Sequence, residues 1–407
     1  MQRLAPTLRF PEFKINWVES RIEDLVSSYK LGGNYQNSIE KNAYPLIKMG
    51  NVGRGYFVTN KLEYIVGDIP AAEDKIQEGD LFFNTRNTLD LVGKVAVWRN
   101  ELPTAYYNSN LLRMKFENNY FFNYVFNSFW GLKKLKRVAS GTTSVAAIYT
   151  KDLMRLKVST PQELSEQQKI ADFLSSVDKK ISLLKEKHAL LTQYKKGVMQ
   201  KLFKQYIRFK DENGNDFPDW KTKLLSKLAD KNNLKNKDNA VNAVLTNSAK
   251  SGIVNQGDYF NKDIANQGNL TGYTVVEKND FIYNPRISEL APVGPIKRNH
   301  IGQGVMSPLY TAFRFKDENV LDYLEQYFNT TMWHRYMHSI ANFGARHDRM
   351  NITSADFYAL PIPLPCEGER EKIVSFIKAL ETKVNAVNEQ IELTKTFKKG
   401  LLQQMFV

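Results

Sequence analysis

The sequence predicts an α+β protein. It has two tandem, pseudo-two-fold-related globular domains, each followed by a long helix, with the two helices forming an antiparallel coiled coil. Three observations carry this. The chain repeats itself at long range, a heptad seam closes each repeat, and short apolar runs of strand length fill the rest.

The repeat is clearest at the ends of the two copies. Ile170 to Phe203 aligns without a gap on Ile373 to Phe406, a constant offset of 203. Phe173/Phe376, Lys195/Lys398, Lys196/Lys399, Gly197/Gly400 and Phe203/Phe406 are among the identical columns. Upstream, Ile148, Asp152, Leu156 and Pro161 face Ile352, Asp356, Leu360 and Pro365. The openings match as well: Leu8-Arg9-Phe10 and Trp17 face Ile207-Arg208-Phe209 and Trp220. The middles share less. There, Gly79-Asp80-Leu81-Phe82-Phe83-Asn84-Thr85-Arg86 faces Lys278-Asn279-Asp280-Phe281-Ile282-Tyr283-Asn284-Pro285-Arg286. Two copies in one chain imitate a two-fold dimer.

The closing segments read as helices. Leu174, Val177, Ile181, Leu184, His188, Leu191, Lys195, Val198 and Leu202 recur at spacings of three and four. The second copy keeps that register at Ile377, Leu380, Val384, Val387, Ile391, Thr394, Lys398, Leu401 and Met405. Such a seam needs a partner, and the nearest is the other copy. Pseudo-two-fold symmetry makes the pair antiparallel. At 1.5 Å per residue each helix spans about 50 Å. His188 reads as a polar seam residue, because no second His or Cys is spaced to join it in a metal site. The expected division is 1–155 globular, 156–206 helical, 207–359 globular and 360–407 helical.

The globular parts carry strand-length runs such as Tyr64-Ile65-Val66, Leu81-Phe82-Phe83, Val95-Ala96-Val97-Trp98 and Phe281-Ile282-Tyr283. Gly32-Gly33, Glu78-Gly79-Asp80 and Glu277-Lys278-Asn279-Asp280 punctuate them as turns. A mixed sheet is expected, with longer helices over Phe121–Lys136 and Val320–Met337.

Composition narrows the function. Hydrophobic residues are 42% and charged residues 25%, an ordinary globular balance. Lys and Arg exceed Asp and Glu, giving a net charge of +14. That excess suits nucleic acid, an anionic surface or an acidic partner. No apolar run approaches the ~18–20 residues of a membrane helix, and no secretory apolar core opens the chain. The one cysteine, Cys366, has no partner within the chain, and a reducing cytoplasmic setting is expected.

Catalytic signatures are missing. There is no Gly-x-x-x-x-Gly-Lys-Ser/Thr phosphate loop. Gly50-Asn51-Val52-Gly53-Arg54-Gly55 has its glycines in the wrong order for a dinucleotide turn. Asn284-Pro285-Arg286 is only faintly similar to the Asn-Pro-Pro-aromatic box of amino-methyltransferases, lacking the second Pro and the aromatic. No Ser/His/Asp or Cys/His set repeats in both copies.

Binding remains. Lys133, Lys134, Lys136 and Arg137 precede the polar loop Ser140-Gly141-Thr142-Thr143-Ser144. In the second copy Arg346, His347 and Arg349 follow Gly344. Small polar and basic side chains in a loop suit phosphate contacts and base-edge hydrogen bonds. Arg86 and Arg286 occupy equivalent places after a strand-like run. An Arg there either reads guanine bidentately or braces a loop carboxylate. The candidate DNA-binding residues are therefore Arg86, Lys134, Lys136, Thr142, Thr143, Ser144, Arg286, Arg346, His347 and Arg349.

With these residues in view, the chain resembles the specificity subunit of a type I restriction–modification system over essentially its full length. The marks are Ser140 to Ser144, then Ile148-Tyr149-Thr150-Lys151-Asp152-Leu153 with Leu156, and Ser165-Glu166-Gln167-Gln168-Lys169-Ile170. Leu8-Arg9-Phe10-Pro11-Glu12-Phe13 with Trp17, and Lys195 to Phe203, resemble it too. One departure is that Glu166-Gln167 in the first copy becomes Glu369-Arg370 in the second.

The resemblance implies a non-catalytic subunit that recognises DNA sequence. Each globular domain would read one half of a bipartite double-stranded target. The helix pair would set the spacer, about 15 base pairs for ~50 Å, and dock two modification (methyltransferase) subunits. Restriction (translocase and nuclease) subunits would join them. No cofactor is expected in this chain: S-adenosylmethionine, ATP and Mg would sit on the partners. Two alternatives stand beside this reading. One is a self-contained DNA methyltransferase or restriction endonuclease, which needs a cofactor loop or metal-carboxylate site. The other is a coiled-coil adaptor that binds protein.

Overall fold

The computed structural model describes residues 5–67, 69–259, 270–342 and 348–407. Two compact units emerge. One joins residues up to Glu186 with Asn388–Val407, and the other is Lys187–Val387. Each unit therefore contains part of both long helices, Leu164–Phe203 and Glu367–Gln404. These helices begin later than the expected 156 and 360, because the strands Lys157–Thr160 and Pro361–Leu364 precede them, but about two turns earlier than the gap-free repeat from Ile170 and Ile373. Leu164 and Glu367 follow closely on Pro161 and Pro365, so the prolines mark the true boundaries.

In the first unit the central sheet runs Val26–Leu31, Leu111–Phe116, Leu81–Asn84, Val95–Val97, all antiparallel. Every residue of Leu81–Asn84 is buried, because both faces of the sheet are covered. Leu81, Phe83, Val95 and Met114 pack on the helix Asn119–Asn127, while Phe82, Ala96 and Leu111 face a second core with Ile47, Trp98 and Tyr107. A strand covered on both sides reads as a continuous apolar run rather than an alternating one. The sheet beyond that second core is mixed: Pro45–Ile47 pairs parallel with Tyr106–Tyr107 and antiparallel with Glu63–Ile65.

The second unit repeats this plan where the sequence barely does. Its central sheet runs Ala229–Lys231, Thr311–Phe315, Phe281–Tyr283, Ile296–Arg298, again all antiparallel. Phe281, Tyr283, Phe313 and Phe315 face one core, and Ile282 and Ala312 the other. The shared turn explains the faint match in the middles. Gly79 (φ +85°) and Asn279 (φ +75°) take the left-handed conformation. In the next position Asp80 accepts from Gln77 N and Asp280 from Glu277 N, both at 2.9 Å. Gly and Asn are the residues that tolerate that φ, and Asp closes the turn through its side chain.

The two long apolar segments are not single helices. Phe121–Lys136 is divided between Asn119–Asn127 and Phe129–Val138, and Val320–Met337 between Leu321–Phe328 and His334–Ile340. A hydroxyl residue breaks each. Ser128 Oγ donates to Val125 O and accepts from Gly131 N, capping the second helix. Thr330 Oγ1 donates to Tyr327 O in the same manner. A side chain at Gly131 would stand 2.0 Å from Val125 O, so the sharp corner requires glycine there.

The long helices pair antiparallel within each unit. In the first, Phe406 packs edge-on to Trp17, whose Nε1 donates to Glu166, and Lys398 reaches Asp178. Rising number in one helix thus meets falling number in the other. In the second unit Phe203 packs edge-on to Trp220, whose Nε1 donates to Glu369, and Lys195 reaches Glu381. Every predicted seam position is buried or half-buried, His188 included.

The matching openings have a structural cause. Arg9 Nε and Nη2 donate to the two oxygens of Glu166 at 2.7 Å each. Arg208 Nε and Nη2 donate to Glu369 at 3.0 and 2.8 Å. Glu166 and Glu369 are 1% and 0% exposed, so each buried carboxylate is met by a bidentate guanidinium and an indole N–H. The departure beside them preserves a contact. Gln167 Nε2 donates to Pro161 O, and Arg370 Nη1 donates to Pro365 O.

Candidate nucleic-acid interface

In the first unit the predicted loop is an exposed hairpin. Ser140–Gly141 pairs with Ala146–Ala147, which pairs in turn with Arg86–Asn87. Arg86, Thr142, Thr143 and Ser144 are all exposed. The hairpin holds its own shape: Thr142 N donates to Val145 O at 2.8 Å, and Thr142 Oγ1 lies 3.2 Å from Ser144 Oγ. Gly141 takes φ +125°, and a side chain there would meet Val145 O at 2.3 Å. Three strands thus bring Arg86 and the Thr142–Ser144 tip, far apart in sequence, onto one small sheet.

Lys134 and Lys136 stand beside it on the helix Phe129–Val138, but not together. Two residues apart on a helix, they point about 200° away from each other. Lys136 is exposed, with Asp90 at 3.8 Å. Lys134 is half-buried, and burial pushes its ammonium pKa down, partly countered by Glu19.

Sequence reasoning passed over Arg54, within a glycine-rich stretch read only as a loop. Its guanidinium donates to Asp90 O at 3.0 Å and to Gly93 O at 3.4 Å. The same loop gives Leu89 N to Thr143 O. Arg54 therefore braces the segment on which the hairpin rests. The signal available was a cation flanked by glycines, Gly53-Arg54-Gly55, in an otherwise uncharged stretch.

In the second unit Arg286 and Arg349 form an antiparallel bridge. Ile287 N donates to Asp348 O and Met350 N to Pro285 O, which hold the two segments side by side. Asp348 is shared by both arginines, at 4.0 Å from Arg286 Nε and 3.9 Å from Arg349 Nε. Arg346 and His347 lie outside the described residues. Arg86 and Arg286 hold one structural address. Each follows a central strand, and each backbone N–H donates to the Asn two residues before it: Arg86 to Asn84 Oδ1 at 3.2 Å, Arg286 to Asn284 Oδ1 at 3.0 Å.

No group of His, Cys, Asp and Glu among the described residues could hold a metal ion. No helix among them is long and apolar enough to cross a membrane.

The profile of the type I restriction modification DNA specificity domain matches residues 14–193. Residues 14–193 are thus similar to a type I specificity domain. That domain includes Arg86, the Thr142–Ser144 hairpin and the buried Glu166. A putative type I restriction enzyme MjaX specificity subunit of Methanocaldococcus jannaschii is 23% identical over 419 residues, covering 96% of this chain and 93% of the relative. The fold is also that of a crystallised type I restriction–modification S subunit from M. genitalium, with a TM-score of 0.56, 13% identity and 99% of both chains covered. A structure from work on complex assembly and conformational transition of the type I system aligns with a TM-score of 0.54 and 16% identity, over 96% of this chain and 98% of that one. The second half repeats the architecture of the matched specificity domain strand for strand in its central sheet.

Proposed function

We propose that this chain is the sequence-recognition subunit of a type I restriction–modification enzyme, and that each globular part reads one half of a bipartite duplex. One observation carries the reading. Two copies of one fold present an arginine at the same address, Arg86 and Arg286, each with its backbone N–H held by an asparagine at the end of the preceding strand or just past it. A duplicated reading head suits a split target, in which each copy meets its own short run of base pairs. The basic balance of +14 supplies the non-specific phosphate attraction that such a protein needs.

The helix pair sets the gap between half-sites and docks the modification subunits. Helices of 40 and 38 residues are about 60 Å long, the scale of roughly 18 base pairs. Exposed apolar side chains recur on them at equivalent positions: Leu190 and Tyr194 at 59% and 55% exposure, Leu393 and Phe397 at 62% and 55%. An apolar stripe repeated on both helices suits two identical partners. Methyl transfer and ATP-driven translocation, with S-adenosylmethionine, ATP and Mg, belong to those partners and to the restriction subunits. The site of action is the cytoplasm.

The test is a binding titration with the methyltransferase complex of this chain. Affinity for a duplex carrying both half-sites should exceed that for a scrambled duplex by about a thousandfold or more, and should fall steeply with salt. Equal affinity for both duplexes contradicts the reading.

A further inference from the structure

The second unit holds a cavity of ≈ 460 Å³ that opens beside Arg286 and Arg349. Three features of its lining belong together. The first is Asn247, 2% exposed. Its Nδ2 donates to Ile282 O at 2.7 Å and to Pro295 O at 3.1 Å, which uses both amide protons and fixes the rotation of the amide. Its Oδ1 is left buried without a hydrogen-bond partner. Buried acceptors are nearly always paired, so this one calls for a donor. The contrast with the first unit is informative. There the buried Asn51 also sends its Nδ2 to two carbonyls, but its Oδ1 accepts from Lys48 N at 2.9 Å.

The second feature is aromatic. Tyr273 and Tyr310 line the same cavity, and Tyr310 is held in place by its hydroxyl, 3.1 Å from Thr246 Oγ1. The third is charge. Arg286 and Arg349 share the single carboxylate of Asp348 at about 4 Å, leaving a net positive rim. Together these offer a π-face, a fixed acceptor for an N–H, and two cations at the mouth. A nucleotide presents the complementary set: a flat ring, a Watson–Crick edge with N–H groups, and a phosphate.

We propose that this cavity receives one nucleotide turned out of the duplex. Its base lies against Tyr310 with an N–H on Asn247 Oδ1, and its phosphate sits between Arg286 and Arg349. The inference rests on the DNA-recognition reading above. It adds that the second half-site is read partly by extrusion, whereas in the first unit the Oδ1 of Asn51 is already paired with Lys48 N.

Extrusion has a pairing cost, and removing the partner base removes that cost. The experiment titrates the full chain onto duplexes carrying its recognition sequence. Each position of the half-site read by the second unit is given, in turn, an abasic residue opposite it. One position should tighten binding about tenfold. That gain should disappear in Tyr310→Leu and persist in Tyr310→Phe, with thermal unfolding used to verify that both variants fold. If sequence preference is intact and no position gains, or if the gain survives Tyr310→Leu, the proposal is overturned. If the wild-type chain shows no sequence preference in the same titration, the recognition reading itself fails, and the extrusion proposal with it.

Discussion

Lys195 Nζ donates to Glu381 Oε1 at 2.7 Å, joining the two long helices in the second unit. The first unit has the same joint with the roles exchanged between helices: Lys398, the repeat equivalent of Lys195, donates to Asp178, the equivalent of Glu381, at 2.5 Å. One interaction, duplicated with the chain, sets the register of the helix pair from both sides. Lys195 and Glu381 keep 25% and 34% of their side-chain surface, so solvent screens them in part. A double-mutant cycle on Lys195 and Glu381 should give a coupling of about 0.5–1 kcal/mol. Glu381→Lys alone should lower the urea midpoint, and adding Lys195→Glu should recover most of the loss. Strict additivity in urea unfolding would refute the register role.

The buried carboxylates should matter more. Glu369 accepts from Arg208 and Trp220 with no exposed surface, and Glu166 from Arg9 and Trp17. Glu369→Gln or Glu166→Gln leaves a partly exposed guanidinium facing a buried neutral amide. Because both arginines keep some solvent contact, the loss should be about 1–3 kcal/mol rather than the full cost of an uncompensated buried charge. Glu186→Gln, on the exposed face of the first long helix, should stay within about 0.5 kcal/mol of wild type. Equal effects at Glu166 and Glu186 in denaturant melts would contradict the packing described.

The second unit should lose stability in mild acid. His334 is partly buried beside Trp333, and burial pushes its imidazole pKa below the ordinary 6.5, with His338 adding to the fall. A depressed pKa means that the unfolded chain binds the proton more readily. The stabilisation is therefore full above pH ~6.5 and lost as pH falls through the folded-state value. Thermal melts from pH 7.5 downward should show a steeper decline for wild type than for His334→Gln. Parallel curves would remove His334 from the account.

Arg86→Ala and Arg286→Ala should each weaken binding of the full target, and the pattern of loss separates their two roles. A side chain that reads a base relaxes the preference at one position and costs about 1–3 kcal/mol. One that holds phosphate weakens all sequences alike and lowers the salt slope by about one. Specificity profiling of both variants at several salt concentrations distinguishes these. Unchanged binding in both variants would contradict the shared address as a recognition site.

Much of this fold was legible in the sequence because the repeat and the heptad seam are local, periodic signals. All predicted seam positions are covered, and the identical Arg9/Arg208 and Trp17/Trp220 proved to mark one buried lock. The central sheets were harder to see. Their inward residues are interchangeable apolar groups, so Phe82 and Ile282 occupy one role with no identity between them. The helix corners were missed because Ser128 and Thr330 are single hydroxyls in long apolar runs. The Thr142–Ser144 hairpin was visible as a polar loop, but its pairing with Arg86 was not. The cavity around Asn247 draws on Arg286, Tyr310 and Arg349, residues that only the tertiary fold assembles.

The most direct test exchanges one reading head. Residues 28–150 are replaced by the corresponding segment of another specificity subunit, and methylated adenines are mapped genome-wide in cells carrying the cognate partners. Two short sequences separated by a fixed gap are expected for the native chain. The exchange should rewrite one of them and leave the other, and the gap, as they were. A continuous motif, or an exchange that alters both sequences at once, would contradict the account.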